Sequence, residues 1–168
     1  MPRPIEEQAP LILKILTYDR NLERNSTEVL TIGIVHDPTN VESATAMQEL
    51  SDFLFANKDK RVKQKPFRYF QIEYTGPQNL RAFSEEREIG VYYITPGLPR
   101  SSLSGILEVS RALSITTMTG VPDYVQAGVA VGIGERRGRP QILINLPASR
   151  EEESEFDASL LRISTVIR

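Results

Sequence analysis

A single histidine, His36, and the complete absence of cysteine limit what side-chain chemistry this chain could perform. A Ser-His-Asp arrangement would have to join His36 to Ser101 or Ser102, and the G-x-S-x-G elbow that presents such a serine does not occur. Without thiolates and with one imidazole, only a carboxylate-rich metal site remains, and no EF-hand-like spacing is present, so no metal is expected. The acids of "REEESEFD" (150–157) stand just before a predicted helix, where they complement its dipole, and the expectation is that they are solvated. The glycines at 128, 132, 134 and 138 invite comparison with a phosphate-cradling loop. However, their spacing is not G-x-G-x-x-G, and the segment after them, "PQILINL", alternates as a strand rather than a helix. "VAVGI" and "QILIN" are better read as a hairpin whose turn takes its positive φ from Gly134 or Gly138.

Elements that could position a site emerge from periodicity. "APLILKILTYDRNLE" (9–23) places Leu11, Ile12, Ile15, Leu16, Tyr18 and Leu22 on one helical face. "VLTIGIV" (29–35) reads as a strand buried on both sides. Thr39 and Glu42 have the spacing of a capping box for a second helix, which gives out at the charged stretch near residue 58. Strands at 67–74, 90–95 and 115–119 then alternate with helices over "PQNLRAFSEER" and 100–113, the latter with Ser101 or Ser102 as its cap. Strands separated by helices imply right-handed crossovers and a mainly parallel sheet. The predicted fold is therefore a three-layer α/β sandwich. It has about six strands, a C-terminal antiparallel hairpin, helices on both faces and a final helix over "EFDASLLRISTVIR". One domain over 1–168 is expected, with residues 1–8 flexible.

Open sheets of this kind bind ligands beyond the carboxyl ends of their strands. His36 and Asp37 come directly after the first strand, and the other exits carry Thr75, Thr95 and the pair Thr119 and Gly120. Together they make a candidate cleft, although the same residue types are what loops and helix caps require anyway. The net charge is −2 with 25% charged residues, so the overall field does not draw nucleic acid. "KDKRVKQK" (58–65) holds five cations but no aromatic residue for base stacking, and reads as a solvated loop. No stretch is apolar enough to span a bilayer.

The last third carries a resemblance. "TGVPDYVQAGVAVGIGERRGRPQILINLPASREEESEFDASLLRIS" is similar to the C-terminal signature of the YfiR-like family. Gly128 ends the short helix, Ile144, Asn145 and Leu146 close the second hairpin strand, and Ser159, Leu160, Leu161 and Arg162 match the helix. The N-terminal part agrees more loosely, through "ILKILTYDRNL" ahead of "LTIGIVHDP". The resemblance implies a non-catalytic periplasmic regulator that acts by protein contact, without a cofactor. Its implied partner is a membrane sensor such as a diguanylate cyclase or sensor kinase, so that it would act in cyclic di-GMP signalling; a homodimer is plausible on the same ground. Family members typically carry cysteines, which this chain lacks, so disulfide control does not transfer. They also begin with a signal peptide. The chain is accordingly read as a mature domain with its export signal removed and Met1 added, a cytoplasmic relative being the alternative. A small-molecule sensor with a ligand in the candidate cleft is the second functional expectation.

Overall fold

The computed structural model describes residues 5–20 and 28–168; Leu22, one of the predicted helix-face residues, lies outside them. The strands are β1 (Leu30–His36), β2 (Arg61–Val62), β3 (Lys65–Glu73), β4 (Val91–Ile94), β5 (Thr116–Thr119), β6 (Val131–Arg136), β7 (Arg139–Asn145) and β8 (Thr165–Ile167). The helices, numbered along the described residues, are α1 (Ile5–Leu16), α2 (Val41–Ala56), α3 (Pro77–Arg87), α4 (Arg100–Leu113), α5 (Pro122–Gln126), α6 (Leu146–Glu151) and α7 (Ala158–Ile163).

The strands form one mixed, mostly parallel sheet in the order β2-β3-β1-β4-β5-β6-β7-β8. β3, β1, β4, β5 and β6 are mutually parallel, which is the doubly wound order with its reversal between β1 and β4. β1, β4 and β5 are buried along their whole lengths, as strands between two covered faces must be. Successive residues divide between two cores. Ile32, Ile34, Tyr93 and Met118 pack with Ile12, Ile15 and Leu50 of α1 and α2. Val35, Tyr92, Ile94 and Ile115 pack with Leu80 of α3 and Leu103 and Ile106 of α4. The three-layer α/β architecture is therefore as expected.

Several local expectations are corrected. The sheet has eight strands rather than about six, the additions being the two edge strands. "KDKRVKQK" is not a loop: β2 pairs antiparallel with β3 across Lys63 and Gln64, both at positive φ. α1 begins at Ile5, so residues 5–8, expected to be flexible, form its first turn with Ile5 and Gln8 buried. The cap of α2 is Asn40, whose side chain accepts from Ser43 N, because Thr39 is held by Asp37 instead. α4 is entered through Pro99, with no side-chain cap from Ser101 or Ser102. The expected C-terminal helix is a single α7 capped by Asp157, after which β8 runs parallel to β7. The β-branched "TVI" suits a strand, and β7 offers it an open edge. The hairpin forms as predicted. Its turn uses Arg137 at φ 53° and Gly138 at φ 76°, while Gly134 lies within β6.

Candidate functional site

The reversal between β1 and β4 is where this fold class takes ligands, and here it is laced by the chain's own hydrogen bonds. His36 ends β1, 6% exposed, with Nδ1 3.3 Å from Ile34 O. Asp37 N donates to Ser43 Oγ at 2.8 Å, and Ser43 Oγ donates to Thr95 Oγ1 at 2.7 Å. Thr95 Oγ1 also lies 3.0 Å from Val35 O, to which it donates. The Asp37 carboxylate accepts from Thr39 Oγ1 at 2.7 Å and Thr39 N at 2.9 Å, bonds that hold it below the ordinary carboxylate range. The Asn40 side chain lies against Gly97, and Tyr124 closes the next loop, its hydroxyl donating to Leu98 O at 3.0 Å and accepting from Leu98 N at 3.1 Å. Burial raises the Tyr124 phenol above its ordinary value.

The structure thus brings His36, Asp37 and Thr95 together. Thr119 and Gly120 lie one strand over: Thr119 Oγ1 donates to Ile94 O at 2.9 Å, and Gln8 of α1 packs on Gly120 while accepting from the Tyr93 hydroxyl at 2.8 Å. Thr75 stands apart. It accepts from Asn79 Nδ2 at 2.9 Å and lines an open depression of about 330 Å³ with Ile72, Asn79, Leu80 and Phe83. Thr95 and Thr119 are fully buried, and both of their hydroxyls donate to backbone carbonyls.

The residues of the C-terminal signature have structural work. Asn145 accepts from Ala148 N to cap α6 and donates to Val125 O at 2.8 Å, tying α6 to α5. Ile144 is buried opposite Val131, and Leu146 opens α6. Gly128 leaves α5 at φ 124°. Ser159 donates N and Oγ to the Asp157 cap, Leu160 is buried, Leu161 packs at the margin of the core, and Arg162 is exposed.

Sequence reasoning missed a polar clasp at the opposite, amino edge of the sheet. Glu152 was expected among solvated acids, yet it is fully buried because α6 turns back across the start of β5. Its Oε1 accepts from Thr117 N at 3.0 Å, and its Oε2 accepts from Thr117 Oγ1 at 2.6 Å and Ser110 Oγ at 3.1 Å. Burial outweighs these bonds and the nearby Arg111 charge, pushing the carboxyl up to about 7. On the other face of β5, Asp19 accepts from Thr116 Oγ1 at 3.0 Å and from Glu155 N at 3.0 Å. Thr116 Oγ1 also meets Ser154 Oγ at 2.7 Å. Residues 152–155 therefore straddle the start of β5. The only signal in the sequence was the paired threonines of "ITTMT", polar residues in a strand that is buried throughout.

A doubly wound α/β sandwich with an inward-bonded switch point is the class that this geometry defines. Within that class, the chain belongs to the YfiR/HmsC-like family, whose sequence model matches residues 8–165. No curated protein matches the chain. Among solved structures, a conserved domain protein from Vibrio cholerae O1 biovar El Tor is similar at 14% identity and a TM-score of 0.68, over 98% of this chain and 60% of that one. An ABC domain from Streptococcus pneumoniae, solved in complex with L-Trp, is similar at 10% identity and a TM-score of 0.62, over 91% and 62%. The ligand-free, open form of a substrate-binding protein with adhesive properties from Clostridium difficile is similar at 14% identity and a TM-score of 0.63, over 83% and 54%. These likenesses concern the fold, and the chain spans less than two thirds of each of these structures. No helix among the described residues is long and apolar enough to cross a membrane.

Proposed function

We propose that this protein is a non-catalytic periplasmic regulatory domain that acts by protein contact on a membrane sensor. A diguanylate cyclase, whose cyclic di-GMP output it would lower, is the first choice of partner and a sensor kinase the second. One observation carries the choice of contact over catalysis or ligand capture. The loops of the switch point spend their polar groups on one another, through the Ser43, Thr95 and Val35 chain of bonds, Asn40 against Gly97, and Tyr124 on Leu98. Family membership over residues 8–165 supports the same reading. The test is co-expression with an intact membrane cyclase encoded beside it, or failing that a sensor kinase, captured through its external domain. Capture of that domain and a fall in cyclic di-GMP are expected; purification of the protein alone, with cyclic di-GMP unchanged, would sink the reading. Light scattering on the purified protein tests the homodimer that belongs to this proposal.

A small-molecule sensor is the second reading, favoured by the likeness to a substrate-binding protein and to a domain solved with L-Trp. Its cleft would use His36, Asp37, Thr75, Thr95, Thr119 and Gly120. A ligand at a hundredfold over its Kd stabilises by about 2.7 kcal/mol, so thermal shift across L-Trp, other metabolites and nucleotides decides it. A flat response to every compound counts against the cleft.

A further inference from the structure

The arginine-tipped hairpin is a strongly charged surface that neither reading uses. β6 pairs with β5 only through Val131 and Gly132, and Ile133–Arg136 run on past Thr119, the last residue of β5. Four residues at strand rise carry the tip roughly 13 Å beyond the carboxyl edge of the sheet. The base of this arm is seated: Gly132 and Gly134 are buried under α5, where a Cβ on Gly134 would stand 3.2 Å from Pro122 Cγ. Residues 135–140 are all exposed. Three of them are arginines, and Arg136 and Arg139 form the last paired rung.

Its charge marks the tip as more than a solvated turn. The turn backbone does not set it apart, since Arg137 takes φ 53° as Lys63 and Gln64 take positive φ in the hairpin at the far edge of the sheet. The whole chain carries −2, and −5 without these three arginines, so the tip is a cationic point on an acidic molecule. All three residues are arginines, whereas the hairpin at the far edge of the sheet is mostly lysine. The planar guanidinium fork matches carboxylates two bonds at a time, which an ammonium does not. Three cations fall short of the cluster of about four to eight that docks on anionic membranes. No aromatic residue lies between 134 and 141 to stack on a base.

We propose that Arg136, Arg137 and Arg139 form a docking arm for an acidic segment of a protein partner, gripped by bidentate guanidinium–carboxylate pairs at the carboxyl edge of the sheet. This rests on the protein-contact reading and names its surface and the chemistry of its partner.

The test uses fluorescence anisotropy of a labelled peptide of alternating glutamate and aspartate. The variant R136Q/R137N/R139Q gives the turn an Asn-Gly pair suited to its positive φ angles, so its thermal midpoint is expected to hold or rise while peptide binding weakens about tenfold or more. The variant K58Q/K60Q/R61Q removes equal charge from the turn leading into the opposite hairpin and is expected to change binding by under about twofold. Equal losses in both variants would reduce the effect to bulk charge and overturn the arm, as would an unbound peptide. Sedimentation with phosphatidylglycerol vesicles that depends on the arginines, in the absence of peptide binding, would assign the arm to a membrane and overturn the proposal. If the arginine variant still captures the sensor domain at full strength, the arm is wrong and the regulatory reading stands. If the unaltered protein captures no sensor domain, the regulatory reading fails on its own.

Discussion

Glu152 is a carboxyl group removed from water, met by three donors, and left without a cation in direct contact. Its proton is bound more tightly in the folded protein, to about 7 against an ordinary 4.5, so between those values the folded state holds more protons than the unfolded one. Stability is therefore expected to fall as pH rises from about 4.5 through 7, a loss absent in acid and complete above neutrality. The full cost is on the order of 3 kcal/mol. Glu152→Gln keeps an acceptor for Thr117 N and offers an amide to the two hydroxyls, so it should flatten this slope. It should also raise the thermal midpoint at pH 8, measured by calorimetry across pH; an unchanged slope would rule Glu152 out as its source. Nothing in "REEESEFD" separates Glu152 from Glu151 or Glu153, which are exposed. The difference arises only when α6 folds back on β5, a tertiary event that local composition does not encode. The placement of the strand-exit residues was legible in the same limited way. Strand exits located His36, Asp37, Thr95 and Thr119, but which hydroxyls face inward was decided by carbonyls on neighbouring strands.

At the scale of elements, the parallel strands and the helices between them were legible from periodicity because each buries a continuous apolar stripe. The edges were not. β2 and β8 are two and three residues long, too short for a period, and each exists because a neighbouring strand offers an unpaired ladder. The tail also fitted a helical face, and only the competition from the open edge of β7 ends α7 at Ile163. The hairpin could be read from its turn glycine, and its brace on α5 gives a prediction. Gly132 is packed so closely on Val125 that Gly132→Ala must push α5 or the arm aside, costing roughly 1–3 kcal/mol. The loss should appear in denaturant melts as a lower midpoint with an unchanged slope. An effect under about 0.5 kcal/mol would show that the arm is not seated as described.

For the whole molecule, one sheet runs through the described chain, with its two cores separated only by the sheet itself. The expectation of a single domain predicts one cooperative transition, coincident by far- and near-ultraviolet circular dichroism; two separated transitions would overturn it. The clasp at the amino edge adds a consequence in time. Asp19 and Glu155 are bonded across 136 residues, and Arg20 and Asp157 across 137, in a chain of 168. Contacts so remote bear the highest loop-closure cost, and they form only once the strands between them have assembled. Asp19→Ala takes away the side-chain acceptor of Glu155 N and one of the two partners of the Thr116 hydroxyl, which keeps Ser154 Oγ, at about 2 kcal/mol. That loss should fall on the unfolding limb of the chevron, with the refolding limb unmoved. The clasp would then act as a kinetic lock, setting how long the assembled protein lasts rather than how fast it is made.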